Sequence, residues 1–187
     1  MFIERLRSET KHNHQALEKA MIPGLKQAVT PEAYAKILNV FYGYFKPIEN
    51  LLDAQLDEKI VPAYGQRRKA HILLEDLSAM NLNGATPPLA TDLPEISSIH
   101  QALGAMYVLE GSTLGGQVIT KMLKQNLNLA DTAYLKFFSG YGEETHKMWA
   151  SFIGTLDTYA ADESKHDEMI EAATNTFAKF QTWIEKN

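Results

Sequence analysis

The stretch Tyr107-Val-Leu-Glu-Gly-Ser-Thr-Leu-Gly-Gly-Gln-Val-Ile119 is rich in apolar residues and predicts the middle of a buried helix. Yet it contains Gly111, Gly115 and Gly116, and each glycine inside a helix costs about 1 kcal/mol relative to alanine. Gly111 and Gly115 are four residues apart and therefore share one helix face. Two interpretations stay open: the bare backbone receives a large, flat ligand, or it lets a second helix cross closely.

Composition limits the classes of function. The chain has 187 residues, 45% hydrophobic and 22% charged, as expected for one globular domain. Its net charge of -5 argues against a nucleic-acid partner held by bulk charge. The sequence contains no cysteine, which excludes disulfides, thiolate nucleophiles and iron–sulfur clusters. A charged N-terminus and the lack of a long apolar run predict a cytoplasmic protein with no membrane partner.

Apolar periodicity predicts an all-α fold, with residues 1–187 forming a single compact multi-helical domain. Pro23-Gly24 is expected to end the first helix, Thr30-Pro31 to start the second, and Gly43 with Pro47 to kink it. The longest loop is predicted over 81–94. The predicted helices cover residues 2–21, 31–56, 64–80, 98–127, 130–138, 143–160 and 163–185.

His14 stands out among the six histidines because it lies on the apolar stripe of the first predicted helix. Arg7, Lys11 and Glu18 lie within about 60° of it around the helix axis. An imidazole can ligate iron, and apolar neighbours can hold a hydrophobic macrocycle. The neighbouring cations can pair with the carboxylates of such a ligand, and Glu18 could orient the imidazole. The alternative is a core histidine that is hydrogen-bonded to backbone. The stripe comprises Ile3, Leu6, Thr10, His14, Leu17 and Met21.

Two Glu-x-x-His spacings raise a competing metal hypothesis. Glu9 with His12, and Glu163 with His166, have the spacing of di-iron sites in helical bundles. However, Glu9 and His12 are about 140–160° from His14 and therefore lie on the polar helix face. The second pair belongs to a highly charged helix start. A helical di-iron carboxylate protein is therefore the less favoured alternative.

Three segments, in order and in register, resemble the heme oxygenase family, and in particular its bacterial, biliverdin-producing branch. Thr10, His14 and Glu18 match the pattern of that family's first helix. The form Glu-Gly-Ser-x-Leu-Gly-Gly, here residues 110–116, resembles its distal helix. The third match is Phe137-Phe-Ser-Gly-Tyr-Gly-Glu-Glu-Thr-His-Lys-Met-Trp149, followed by Phe152.

The resemblance implies a heme sandwiched between the first helix and a kinked, glycine-rich distal helix. His14 would ligate the iron. Ser112 stands where the mammalian branch has a water-organising Asp, and Phe152 stands where an Arg is frequent. The distal catalytic positions would be Gly111, Ser112, Gly115 and Gly116. The heme-binding positions would be Arg7, Lys11 and Lys147 at the propionates, with Glu18, Tyr107 and Phe177 around the pocket.

The implied reaction is the oxidative opening of heme to biliverdin, with release of carbon monoxide and ferrous iron. It consumes dioxygen and electrons from outside. Because the sequence has no flavin or nicotinamide motif, a ferredoxin, flavodoxin or reductase is expected as the electron donor. A non-catalytic heme-binding or storage protein on the same fold is the alternative.

Overall fold

Seven α-helices are found in the computed structural model, which describes residues 1–82, 84, 86–129 and 133–187. Short 3-10 turns at 64–66, 142–144 and 163–165 join some of them. The prediction of an all-α fold is confirmed. None of the helices in these described ranges combines the length and apolarity needed to cross a membrane. The helices are α1 (Phe2–Gln27), α2 (Pro31–Asp53), α3 (His71–Ala79), α4 (Ile99–Asn126), α5 (Lys136–Ser139), α6 (Thr145–Tyr159) and α7 (His166–Lys186).

The first helix is longer than predicted, because α1 continues through Pro23-Gly24 to Gln27. A proline inside a helix removes one backbone hydrogen bond and normally disfavours the helix by about 3 kcal/mol. Packing of the following turn offsets this. Leu25 is buried, and the side-chain amide of Asn126 donates to the Leu25 carbonyl at 3.1 Å.

The start of α2 agrees with the prediction. The Thr30 hydroxyl accepts a hydrogen bond from the Ala33 amide at 3.2 Å, and Pro31 occupies the first turn. The helix ends at Asp53, short of the predicted residue 56, and is continuous through Gly43 and Pro47. A Cβ at Gly43 would lie 2.5 Å from the Pro88 carbonyl oxygen, so this glycine permits a close approach of the loop.

Two other predicted helices are shorter than expected. The segment predicted as 64–80 contains a 3-10 turn, an extended Arg67 and then α3 from His71. The segment predicted as 130–138 is helical over 136–139, and residues 130–132 lie outside the described residues. In the first case the helix is interrupted because Arg67 turns inward and donates to the Pro62 carbonyl at 3.1 Å.

Three long helices run side by side in the same direction. At one end, Arg5 of α1 pairs with Asp167 of α7 at 2.6 Å, and Ser98 at the start of α4 donates to Glu168 of α7. At the other end, Asn126 reaches Leu25 of α1. The ends of α1, α4 and α7 therefore correspond, and residues near the middle of each helix lie at the same level.

The second helix runs antiparallel to α7. The Tyr44 hydroxyl donates to the Thr176 carbonyl, and the Trp183 indole donates to the Val40 carbonyl, both at 2.8 Å. Aromatic rings fill the space where α2, α5 and α7 meet, with edge-to-face and stacked centroid distances of 4.6–6.2 Å. This cluster comprises Phe41, Tyr44, Phe45, Phe137, Phe138 and Phe180.

Candidate functional site: the faces of α1 and α4

His14 lies near the middle of α1, and its side chain is 53% exposed. The prediction that it is buried on the apolar stripe is therefore wrong, although Thr10 and Leu17 on either side are buried. The physical reason is that α7 covers His14 only at one edge, where the Phe177 ring meets the imidazole at a centroid distance of 5.5 Å and 75°. Glu18 Oε1 lies 3.6 Å from His14 Nε2. The imidazole is thus accessible to a ligand.

The predicted carboxylate-binding cations differ in their surroundings. Arg7 and Lys11 are exposed and form no ion pair with any residue that the structure describes. Lys147 instead pairs with Glu144 at 2.7 Å, and this hydrogen bond raises the pKa of the Lys147 ammonium. Its side chain is 80% exposed, so the pair is weak and easily exchanged.

The glycines of α4 serve two different purposes. A Cβ at Gly115 would have no atom within 4 Å, and a Cβ at Gly111 would only touch the Trp149 ring at 3.6 Å. At Gly116, by contrast, a Cβ would lie 2.1 Å from the Phe138 carbonyl oxygen. Gly116 is therefore needed for the close packing of α5 on α4, whereas Gly115 presents bare backbone to open space.

Tyr107 and Trp149 form an aromatic wall beside Gly111. Their ring centroids are 5.7 Å apart, and Trp149 lies 5.9 Å from Phe152. Phe152 is completely buried and carries the Arg67 guanidinium 5.8 Å from its ring centroid. The family that the motifs resemble frequently has an Arg at this position. Here Phe152 occupies it, and its ring packs in the core.

The site residues form two groups on different helices. His14, Glu18 and Phe177 belong to α1 and α7, and the aromatic wall and open glycine belong to α4 and α6. His14, Gly111 and Phe177 all lie near the middle of their parallel helices, so the two groups are at the same level of the molecule. This arrangement suits a flat ligand that contacts α1 on one side and α4 on the other.

A buried ion pair fixes α4 directly behind its glycine face. Arg67 Nη1 donates to Glu110 Oε1 at 2.5 Å, and both side chains are at most 4% exposed. The Tyr141 hydroxyl donates to Glu110 Oε2 at 2.9 Å, and Arg67 also donates to the Met148 carbonyl at 3.2 Å. Burial, together with the Glu110 carboxylate, raises the pKa of the Tyr141 phenol, which keeps it a hydrogen-bond donor.

Ser112 is bound from the inner side of α4 by a second arginine. Arg68 Nη2 donates to the Ser112 hydroxyl at 2.5 Å and to the Leu109 carbonyl at 2.7 Å. Its guanidinium lies over the Phe137 ring at 4.0 Å. Burial lowers the pKa of Arg68 to about 10, so it remains charged at neutral pH. The Ser112 hydroxyl, which donates to Leu109, is therefore already engaged on both sides.

The sequence predictions did not include Arg67, Arg68, Glu110 and Tyr141. One signal was available: Glu110 is spaced four and seven residues from the apolar Met106 and Leu103, on the buried face of α4. A carboxylate on such a face needs a cationic partner. The identity of that partner, 43 residues away, could not be read from local spacing.

The Glu-x-x-His pairs lie apart from this site. Glu9 is exposed and accepts a hydrogen bond from Arg5 at 2.7 Å. His166 Nε2 lies 2.8 Å from the Ala160 carbonyl oxygen, and its ring is tilted by 37° against the Phe2 ring at a centroid distance of 4.5 Å. Neither pair directs a carboxylate into the core.

Comparisons with known proteins agree with the fold and with the motifs. Residues 1–186 match the family model described as heme oxygenase. A curated heme oxygenase of Xanthomonas campestris pv. campestris (strain 8004) is 27% identical over 158 residues, covering 83% of this chain and 91% of the relative. The NO- and CO-bound heme oxygenase of Neisseria meningitidis superposes with a TM-score of 0.77 over 100% of this chain and 91% of that one, at 21% identity.

Proposed function

The chain belongs to the heme oxygenase family, and from this premise we propose that it binds heme between α1 and α4 and opens it to biliverdin. Bound heme is both the substrate and the site at which dioxygen is activated, and carbon monoxide and ferrous iron leave with the product. The observation that carries this proposal is the accessible imidazole of His14 at the level of the open Gly115.

On the α1 side, His14 is proposed as the iron ligand. The two ring nitrogens of His14 are distinct, so one can bind the iron while the other hydrogen-bonds, directly or through water, to Glu18. A carboxylate at this position would orient the imidazole and raise its basicity. Phe177, against the edge of the imidazole, limits the rotation of the ring and adds apolar surface to the pocket.

Arg7 and Lys11 are proposed to bind the heme propionates. Both lie on the same side of α1 as His14, and both are free of other ion pairs among the described residues. A charge-assisted hydrogen bond from such a cation to a carboxylate contributes about 1.5–3 kcal/mol. Lys147 would have to leave Glu144 to take part, so its contribution is smaller.

On the α4 side, Gly115 is proposed to leave room for a small ligand at the iron. The carbonyls of Gly111 and Gly115 would then be the nearest polar groups, since helix-interior glycines expose their backbone. Ser112 would act through Arg68: the arginine holds the Ser112 hydroxyl and the Leu109 carbonyl, and thereby the position of the Gly111 turn. Tyr107 borders this wall, whereas Gly116 supports it from behind by letting α5 pack closely on α4.

The electrons for the reaction are proposed to come from a ferredoxin, a flavodoxin or a reductase, because the chain has no motif for a flavin or nicotinamide of its own.

The decisive experiment incubates the purified protein with hemin and ascorbate and follows the biliverdin absorption band. Wild type is expected to convert hemin, whereas His14→Ala should lose both turnover and the imidazole-ligated spectrum, and added imidazole should restore the spectrum. His71→Ala is a matched control, because His71 is also exposed and also lies 3.6 Å from a glutamate one turn on.

Two outcomes would contradict the proposal. A stable heme spectrum in wild type with no biliverdin band would favour the non-catalytic heme-binding alternative. An unchanged spectrum in His14→Ala would show that another residue ligates the iron.

A further inference from the structure

A further cavity lies beside α4, on the C-terminal side of the glycine stretch. The C-terminal half of α4 and the turn after α5 line an open cavity of about 590 Å³. Five of its residues, spaced as one face of a helix, come from α4, and Ser139 lies on the opposite side. Its polar lining is Gln117, Thr120, Lys121, Lys124, Gln125 and Ser139.

Every polar side chain among the described lining residues can donate a hydrogen bond, and none of these residues is a carboxylate. Lys121 and Lys124 form no ion pair with any residue in the described part of the chain. In a protein with a net charge of -5, such a concentration of donors without an acid is complementary to an anion.

Two hydroxyls at this cavity lack hydrogen-bond partners. Thr120 Oγ1 and Ser139 Oγ are both buried and make no hydrogen bond within the protein. Lys124 alone has a simpler explanation, since a cation in the last turn of a helix complements the helix dipole. The dipole does not account for the two buried hydroxyls, whose residues come from different elements and line one cavity.

We propose that this cavity is a binding site for a small molecule that carries an oxyanion group, either a phosphate or a carboxylate. The ammonium groups of Lys121 and Lys124 bind the charge, and the hydroxyls of Thr120 and Ser139 donate to its oxygens. The site is separate from His14 and Gly115, which do not line the cavity. Its occupancy is therefore independent of heme binding.

Isothermal titration of the full-length protein with inorganic pyrophosphate and, separately, with citrate tests the proposal. We expect saturable binding with one site per chain for at least one probe, and the stronger binder identifies the chemical source of the oxyanion. The affinity should be the same within a factor of two with and without one equivalent of hemin. Competition with hemin would place the anion at Arg7 and Lys11 and overturn the proposal.

A charge-matched pair of double variants locates the site. Lys121→Gln with Lys124→Gln is expected to weaken binding at least tenfold. Lys26→Gln with Lys59→Gln removes the same charge from exposed lysines elsewhere and should change the affinity less than twofold. Equal loss in both double variants, or no loss in the first, would contradict the assignment.

The hydroxyls give a second, independent readout. Thr120→Val and Ser139→Ala should each weaken binding several-fold, while the midpoint of thermal unfolding without ligand stays the same or rises, because an unpartnered buried hydroxyl has been removed. A fall in the unfolding midpoint with no change in affinity would instead assign these hydroxyls to the fold.

Discussion

At the scale of single residues, two neighbouring glycines of α4 have opposite surroundings. Gly115 faces open space, and Gly116 faces the Phe138 carbonyl at a distance that leaves no room for a Cβ. Adjacent helix positions are about 100° apart, so one can face a ligand while the next faces another helix. The close-packing interpretation therefore holds at Gly116, and the ligand interpretation stays a proposal for Gly115.

Substitution of Gly115 should separate activity from stability. Gly115→Leu is expected to leave the free energy of unfolding unchanged or raise it by up to about 1 kcal/mol, because leucine favours helix and meets no neighbouring atom. The side chain would fill the space proposed for the iron-bound ligand and abolish turnover. Circular dichroism melts and the hemin assay measure the two effects, and retained turnover would count against a role of Gly115 in the pocket.

Gly116→Ala, by contrast, should lower the stability of the fold. A Cβ 2.1 Å from a backbone oxygen forces α5 away from α4, which is expected to destabilise the protein by about 1–3 kcal/mol. Gly154→Ala is the control, because a Cβ there meets nothing within 4 Å inside α6 and should be neutral or stabilising. Denaturant unfolding compares the two, and equal stability of both variants would refute the close contact.

At the scale of elements, α4 is held by charges as well as by apolar packing. Glu110→Gln would leave the buried Arg67 guanidinium without its counter-charge, and breaking a buried pair in this way costs about 3–5 kcal/mol. Glu9→Gln, which disrupts the exposed pair with Arg5, should cost less than about 1 kcal/mol. Chemical denaturation of the two variants measures this difference, and similar losses would show that burial does not strengthen the Arg67 pair.

The start of α5 predicts a pH dependence. Asp76 accepts hydrogen bonds from the amides of Lys136 and Phe137, both at 3.0 Å, yet burial raises its pKa from 3.8 to about 6. A carboxyl whose pKa is raised on folding binds protons more tightly in the folded state. Its contribution to stability is therefore fully present below about pH 3.8 and is lost as the pH rises through about 6.

Asp76→Asn removes this titration. The free energy of unfolding of wild type minus that of the variant is expected to fall by up to about 3 kcal/mol between pH 4 and pH 7. Urea unfolding of both proteins at a series of pH values measures this difference. The other carboxylates titrate in both proteins, so their contributions cancel in the subtraction. A difference that is constant with pH would show that Asp76 titrates normally.

At the scale of the whole molecule, α1 packs closely on α7 but leaves the His14 face uncovered. Heme bound between α1 and α4 would link two helices on opposite sides of the site. Such a ligand stabilises the folded state by about 2.7 kcal/mol at a free concentration one hundred times its Kd.

Hydrogen exchange should reveal this linkage. Addition of hemin is expected to slow amide exchange in the middle of α1 and around Gly111–Gly116, and to leave α3 nearly unchanged. In the His14→Ala variant, hemin should slow amide exchange in α1 less than it does in wild type. Uniform protection of all helices would instead indicate a general stabilisation without a site between α1 and α4.

Short-range signals in the sequence were sufficient to predict the start of α2, the extent of α4 and the family. Thr30-Pro31 determined where α2 begins, because a hydroxyl cap and a first-turn proline act within four residues. The apolar period of 98–127 determined α4, whose observed bounds are Ile99–Asn126. The three motifs, matched in order, indicate the family, and the same resemblance points to His14 and Phe177, whose rings are in contact.

Tertiary structure alone decided the remaining features, because they depend on groups distant along the chain. The helix passes Pro23 since Leu25 and Asn126 stabilise the following turn. Arg67 leaves the predicted helix since Glu110 binds it in the interior. His14 is exposed although its spacing is that of a buried position, because spacing gives the face of a helix, whereas the neighbouring elements determine how much of that face is covered.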